Sequence, residues 1–262
     1  MKELDKKARY LGNPLFVGRN KLAAFEDLRR KVEARIQGWK AKLLPQSGRA
    51  TLIKHVAISI PIYTMSTCLL PKSWCDNLEK SVRNFLWKND PNVGGGFPPV
   101  AWSKVCQPKS RVELGFKNLR VFNKALVAKL GWSLVTEDNK LWVRAIKAKY
   151  FPYTTFLKGK KKKGCSWIWS GVPNTKPLLA KGVYFRVGKG DSVNIWEDPW
   201  IPNNPNFLPI PINSLNPEQV GMVSSLKMSN GRWNESLLIR LFDPDSVVKI
   251  KGIFWADNSK DD

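Results

Sequence analysis

Three blocks of helical periodicity, separated by prolines and a glycine, constrain this chain more than any other feature. Leu22, Phe25, Leu28, Val32, Ile36 and Trp39 recur at three- and four-residue intervals, the spacing that gathers side chains on one helical face. Pro45 and Ser47-Gly48 interrupt the pattern. Ser47 is placed to cap a second helix with Leu52, Ile53, Val56, Ala57 and Ile60 as its apolar face, and Pro61 is expected to end it. Ser73, with Asp76 three residues on, is the expected N-cap of a third helix carrying Trp74, Leu78, Val82 and Phe85. Amphipathic helices in succession bury their stripes against one another, so residues 21–90 are expected to form a helical subdomain, with residues 1–20 as a separate lead-in.

Glycine and proline crowd residues 89–99, which neither helix nor strand tolerates, and place a linker at 91–100. Leu119, Phe122, Leu126 and Leu130 then argue for a helix, and Leu141, Trp142, Ala145 and Ile146 for another, making 101–157 a second helical region. Opposite the apolar side of the latter, Lys140, Arg144 and Lys147 follow at i, i+4 and i+7 with no acid between them. That face is either solvated or phosphate-contacting. Residues 158–200 read as a basic loop and a small β-ribbon: Lys158 and Lys160, Lys161, Lys162 and Lys163 precede Trp167 and Trp169, and β-rich segments flank a tight turn at Gly188-Lys189-Gly190-Asp191. The two tryptophans alternate like one face of a strand, suited to core packing or to stacking on bases. Prolines and asparagines recur from Ile201 to Pro217, so residues 201–262 read as a linker and a truncated C-terminal segment with one short helical pattern around Leu237–Phe242. The expected fold is mainly α with a minor β part.

Charge narrows the function. Lys and Arg number 44 against 21 Asp and Glu in 262 residues, a formal charge of +23, which favours a polyanionic partner, nucleic acid ahead of an anionic membrane. The hydrophobic fraction of 43% with twelve tryptophans is ample for a core. The first residues carry charges where a signal peptide would need an apolar run, and no stretch approaches the roughly 20 apolar residues of a membrane span. An intracellular protein, nuclear or cytoplasmic, is expected. Cys68, Cys75, Cys106 and Cys165 form no C-x-x-C pair and His55 is the only histidine, so reduced thiols are expected and neither a structural zinc nor any cofactor.

Several segments, taken together, resemble a known family. Residues 10–21 (YLGNPLFVGRNK), 35–87, 101–135, 166–172 (SWIWSGV) and 185–202 (FRVGKGDSVNIWEDPWIP) are similar, in the same order, to the region downstream of the polymerase palm in plant LINE-type, non-LTR retrotransposon reverse transcriptases. The resemblance implies that residues 22–87 are a thumb gripping template and primer, and that the segments after Ala101 are the connecting region preceding a zinc-binding or ribonuclease H module. It places Arg49 and Lys54 at the family's Gly-Arg and Ile-Lys pairs, as phosphate contacts on a duplex or template–primer hybrid of RNA or DNA, and makes Tyr10–Val17 the end of a palm strand. Two departures stand out. The family's Leu-Ser-Gln-Ala-Gly-Arg run is here Leu44-Pro45-Gln46-Ser47-Gly48-Arg49, and its Gly-Gly-Leu-Gly-Phe turn is Val112-Glu113-Leu114-Gly115-Phe116, two glycines fewer.

Catalytic machinery is not evident. Two-metal polymerisation needs clustered carboxylates, which the family carries on its palm upstream of the matched region. Asp261-Asp262 is the only Asp-Asp pair and has no aromatic neighbour or strand pattern; Asp243 and Asp245 flank Pro244 as in a turn. No phosphate-cradling P-loop occurs. His55 lies midway along an amphipathic helix, and Cys165 beside the lysines reads as an ordinary exposed thiol rather than an activated one. The sequence therefore points to a nucleic-acid-binding, non-catalytic reverse-transcriptase-like chain. The alternatives are one part of an RNA-directed DNA polymerase whose palm lies elsewhere, or a transposon relic.

Overall fold

The computed structural model describes residues 8–39, 43–87, 99–111, 114–137, 139–160, 164–212, 221–228 and 231–253. The chain divides into two compact units, Met1–Lys176 and Pro177–Asp262. As the sequence implies, the fold is mainly α with a minor β part.

The first unit opens with a hairpin, β1 (Arg9–Tyr10) against β2 (Asn13–Pro14). Leu11 and Gly12 take φ of +48° and +83°, two successive left-handed residues that reverse the chain tightly. Its Asn13 donates to Thr67 Oγ1 at 3.1 Å and accepts from Thr64 Oγ1 at 2.7 Å, while Arg9 pairs with Asp27 at 2.5 Å. The stretch read as the end of a strand thus turns back on itself and is held by side chains.

The first apolar stripe is split at Phe25 into α1 (Lys21–Ala24), capped by Asn20, and α2 (Glu26–Gly38). Phe25, Val32 and Ile36 are buried, whereas Leu22 at the start of the stripe is exposed. Helix α3 (Gln46–Leu52) runs into a π-helical turn, Ile53–Ala57. Its N-cap is Pro45, not Ser47: a boundary residue has no need of the amide hydrogen that proline lacks, and Ser47 instead accepts a hydrogen bond on its carbonyl from Thr51 Oγ1. Pro61 likewise begins α4 (Ile62–Thr67), whose Met65 amide donates to the Pro61 carbonyl, rather than ending helical structure. Helix α5 (Lys72–Trp87) follows Pro71, leaving Ser73 within its first turn; Trp74, Leu78, Val82 and Phe85 are buried as their spacing requires.

Beyond residue 99 come α6 (Trp102–Val105), α7 (Leu119–Thr136), α8 (Leu141–Tyr150) and α9 (Trp167–Gly171). Of the turn shorn of two glycines, Val112 and Glu113 lie outside the described residues, and the remaining Gly115 takes φ +62°. Asn123 of α7 is buried among apolar side chains. Its amide donates to the carbonyls of Met65 at 2.7 Å and Cys68 at 2.9 Å, and its carbonyl accepts from Leu70 N–H at 2.8 Å, so one side chain satisfies the bend between α4 and α5.

The second unit begins within α10 (Lys176–Leu179) and ends with α11 (Glu235–Leu241) and α12 (Pro244–Lys251). Composition suggests a linker from residue 201; instead Val187, Val193, Ile195, Trp200, Ile201, Val223, Leu226, Leu238, Phe242 and Ile250 close around a shared core. The expected ribbon is also different. The turn at 188–191 forms, with Gly190 at φ +82°, but no strand follows it among the described residues: a single antiparallel bridge, Asn194 to Met222, joins the segment to residues 221–224, where Val223 N–H donates to Val193 O at 2.9 Å, Ile195 N–H to Gly221 O at 3.1 Å, and Ser224 N–H to Gly190 O at 2.9 Å. A Cβ on Gly190 would lie 2.8 Å from the Ser224 nitrogen, so the close approach itself requires glycine. The short helical pattern at 237–242 becomes most of α11. Asp243, read as a turn residue, caps α12 by accepting from Ser246 N–H, and Asp245 pairs with Lys249 at 2.5 Å.

Candidate nucleic-acid interface

The residues expected to touch phosphate fall into three groups. In the first, Arg49 is buried, 8% exposed, and its guanidinium donates to Phe85 O at 3.4 Å in the last turn of α5. Carbonyls at a helix C-terminus lack intrahelical partners and carry partial negative charge, which a buried guanidinium satisfies. Arg49 is therefore a tie between helices, not a surface cation. Lys54 reaches the 114–116 segment: its ammonium donates to Leu114 O and lies 5.0 Å from the Phe116 ring centroid. His55, next to it, is exposed.

The second group is α8. Its buried residue is Val143, with Ile146, Lys147 and Tyr150 half-buried beside it, while Leu141 at 82% and Trp142 at 39% are exposed. The helix is rotated from the face its composition suggests. Lys147 thereby leaves the outer face, Lys140 sits at the N-cap and pairs with Glu137 at 2.5 Å, and Arg144 stays exposed. The rotation follows from the 3.6-residue period, because Val143 at the centre carries Ile146 and Tyr150 with it.

The third is the lysine loop. Lys158 and Lys160 are exposed; Lys161, Lys162 and Lys163 lie outside the described residues. Gly159, between Lys158 and Lys160, is buried against Phe151, so closely that a Cβ there would run into the ring. Lys176, which sequence reasoning passed over, donates to Gly159 O and lies 5.0 Å and 5.6 Å from the centroids of Phe156 and Phe151; burial pushes its ammonium pKa down. Trp167 and Trp169 are helical rather than strand residues, since Ser166 caps α9 by accepting from Trp169 N–H at 3.2 Å. Trp167 packs on Phe25 at 5.5 Å between centroids, with Lys21 Nζ 6.0 Å from its ring, and Trp169 stacks on Tyr150 at 4.7 Å. Trp169 is buried and Trp167 half-buried. Cys165 is half-buried, whereas burial pushes the Cys68 and Cys75 thiols up to about 11 and about 12.

Among the described residues no three His, Cys, Asp or Glu side chains gather as metal ligands would, and no helix is long and apolar enough to cross a membrane. Sequence reasoning also overlooked α2, where Lys31 and Arg35 are exposed one turn apart. Only their i, i+4 spacing could have pointed to them.

No protein-family profile matches the chain. It is similar to the Arabidopsis thaliana protein described as "Putative ribonuclease H protein At1g65750", with 33% identity over 186 residues, covering 69% of this chain and 30% of that protein. It is also similar to the Arabidopsis thaliana "Uncharacterized mitochondrial protein AtMg00310", with 30% identity over 145 residues, covering 55% of this chain and 94% of that protein.

Proposed function

Starting from the fact that this chain belongs to the family of the Arabidopsis protein AtMg00310, we propose that it is a retroelement-derived protein that holds nucleic acid by its phosphates and does not itself polymerise it. The observation that carries this reading is the charge of +23. Arg144, Lys158 and Lys160 present part of it on exposed surface of the first unit, with Lys161, Lys162 and Lys163 adjoining in sequence. Cations of this kind neutralise phosphates and release counterions without reading bases.

Two further observations support it. The resemblance to plant LINE-type reverse transcriptases assigns residues 22–87 to a template–primer grip, and a relative that this chain matches over 30% of its length is named for ribonuclease H. Residues 22–87 contribute helices to one bundle, with Arg49 serving its interior. The bound species on this reading is a duplex or RNA–DNA hybrid.

Salt titration of binding to a fluorescent 20-base-pair duplex and the matching hybrid tests the proposal. Affinity should fall with a log–log slope of about −0.9 per phosphate contacted, with little dependence on base sequence. Glutamine at Lys158 and at Lys160 to Lys163 should flatten that slope by several units if all five make contact. A chain that binds neither ligand at low salt, or whose binding ignores salt, overturns the reading.

A further inference from the structure

Helix α2 sorts its charges onto two flanks. On one, Arg29 pairs with Glu26 at 2.5 Å and with Glu33 at 2.7 Å, and Arg30 lies 3.7 Å from Glu26. Two acids and two bases cancel there, and the arginine beside it holds the Glu26 carboxyl below its ordinary range. The other flank follows from spacing: Lys31, Ala34, Arg35 and Gly38 stand at i, i+3, i+4 and i+7, one continuous face. Among the described residues neither Lys31 nor Arg35 has an acidic partner. Asp27, one turn before Lys31 on this face, pairs instead with Arg9 at 2.5 Å, so neither cation is neutralised at ion-pair distance as those of the other flank are.

That face is also concave. Lys31, Ala34, Arg35 and Gly38 line a groove of about 580 Å³ whose remaining lining among the described residues is Trp39 and Ile60. Alanine and glycine keep it open, and a Cβ on Gly38 would meet nothing within 4 Å. The Trp39 indole is half-buried and braced against Phe85, with centroids 5.3 Å apart, so its position is set by the core. The volume lies in the range of small-ligand clefts. Two cations about one helical turn of 5.4 Å apart, above an apolar wall ending in an indole, match a ligand that alternates phosphate with a flat ring.

We propose that this groove binds a short single-stranded nucleic-acid segment, with Lys31 and Arg35 on its phosphates and Trp39 against a base. A single strand suits it better than a duplex, because paired bases are stacked inside the helix and cannot reach a recessed indole. The proposal deepens the function above, resting on nucleic acid as the partner and adding a site for the unpaired strand.

The experiment compares the full chain with Lys31→Gln/Arg35→Gln and with Gly38→Leu, which fills the groove and leaves charge unchanged. Probes are fluorescein-labelled octathymidylate, octauridylate and the 20-base-pair duplex, with circular dichroism melting as the check that each variant folds. Both variants should lose about tenfold or more in affinity for the octamers and much less for the duplex. The double glutamine variant should flatten the octamer salt slope by about 1.4, at about 0.7 per phosphate on a single strand. Octamer binding unchanged in both folded variants overturns the groove and leaves the function standing; no binding of any probe by the parent chain overturns both. A phosphorylated peptide of equal charge that binds as tightly as the octamers, and is lost in the same variants, makes the occupant a phosphoprotein and ends the proposal.

Discussion

The helical bundle of the first unit and the irregular second unit reach closed cores by different means. In the bundle, the apolar spacing of Val32, Ile36, Trp74, Leu78, Val82 and Phe85 is itself the plan of the core, and polar groups intrude at few points, Asn123 chief among them. In the second unit, Trp200, Phe242 and Ile250 come from segments with no shared period. The backbone between them is tied by side chains instead: Asn194 accepts from the amides of Trp196 and Glu197, Asp198 from Asn194 N–H, and Ser246 Oγ from Asn204 Nδ2 and Ile210 N–H. Where helices satisfy backbone groups internally, side chains are free to make the core; where they do not, Asn, Asp and Ser must do that work.

The largest test of this contrast is Trp200→Ala. The ring is fully buried and donates to Ile195 O at 2.9 Å, so its loss should cost about 3–5 kcal/mol in urea unfolding, as large as any truncation in the bundle. A cost under about 1 kcal/mol would show that the second unit has no core worth the name.

Next come two buried asparagines, Asn123 and Asn204. Asn123→Leu orphans one amide and two carbonyls and should cost about 3 kcal/mol; Asn204→Ala, which frees Leu208 O, Ser246 Oγ and Lys249 Nζ, should cost about 2 kcal/mol. Equal indifference to both changes would remove the distinction between polar scaffolding and apolar spacing.

A smaller effect separates two glycines of nearly the same φ. Gly12 at +83° has open space, with nothing within 4 Å of where a Cβ would stand, so Gly12→Ala should cost about 1 kcal/mol from the left-handed backbone alone. Gly190 at +82° adds the close Ser224 backbone, and Gly190→Ala should cost about 2 kcal/mol or more. Thermal melting of the two variants ranks them, and the reverse order would contradict the pairing of 190 with 224.

The smallest effect is electrostatic. Burial raises the Glu79 carboxyl above its ordinary 4.5, against the opposing hydrogen bond from Leu119 N–H. The folded chain then holds this proton to higher pH than the unfolded chain. Its contribution is fully present below 4.5 and lost as pH rises through the folded value. Glu79→Gln, which keeps an acceptor for Leu119, should flatten that loss in melts taken from pH 4 upward; an unchanged profile would assign the pH dependence elsewhere.

By itself the sequence determined the helical class, the buried stripes of α2 and α5, the apolar face from Leu52 to Ile60 and the basic surplus, because each is a property of spacing or composition along one stretch of chain. Tertiary structure decided what spacing leaves open. It turned α8 so that Val143 faces inward and Lys147 half-inward, drew Arg49 to the end of α5, made Trp167 a neighbour of Phe25, and gave the segment after Gly190 a bridging partner about thirty residues away. A charged side chain reads the same in sequence whether it meets solvent, a phosphate or a helix carbonyl. Which of these it meets depends on neighbours distant in the chain, whose positions are fixed only when the core closes.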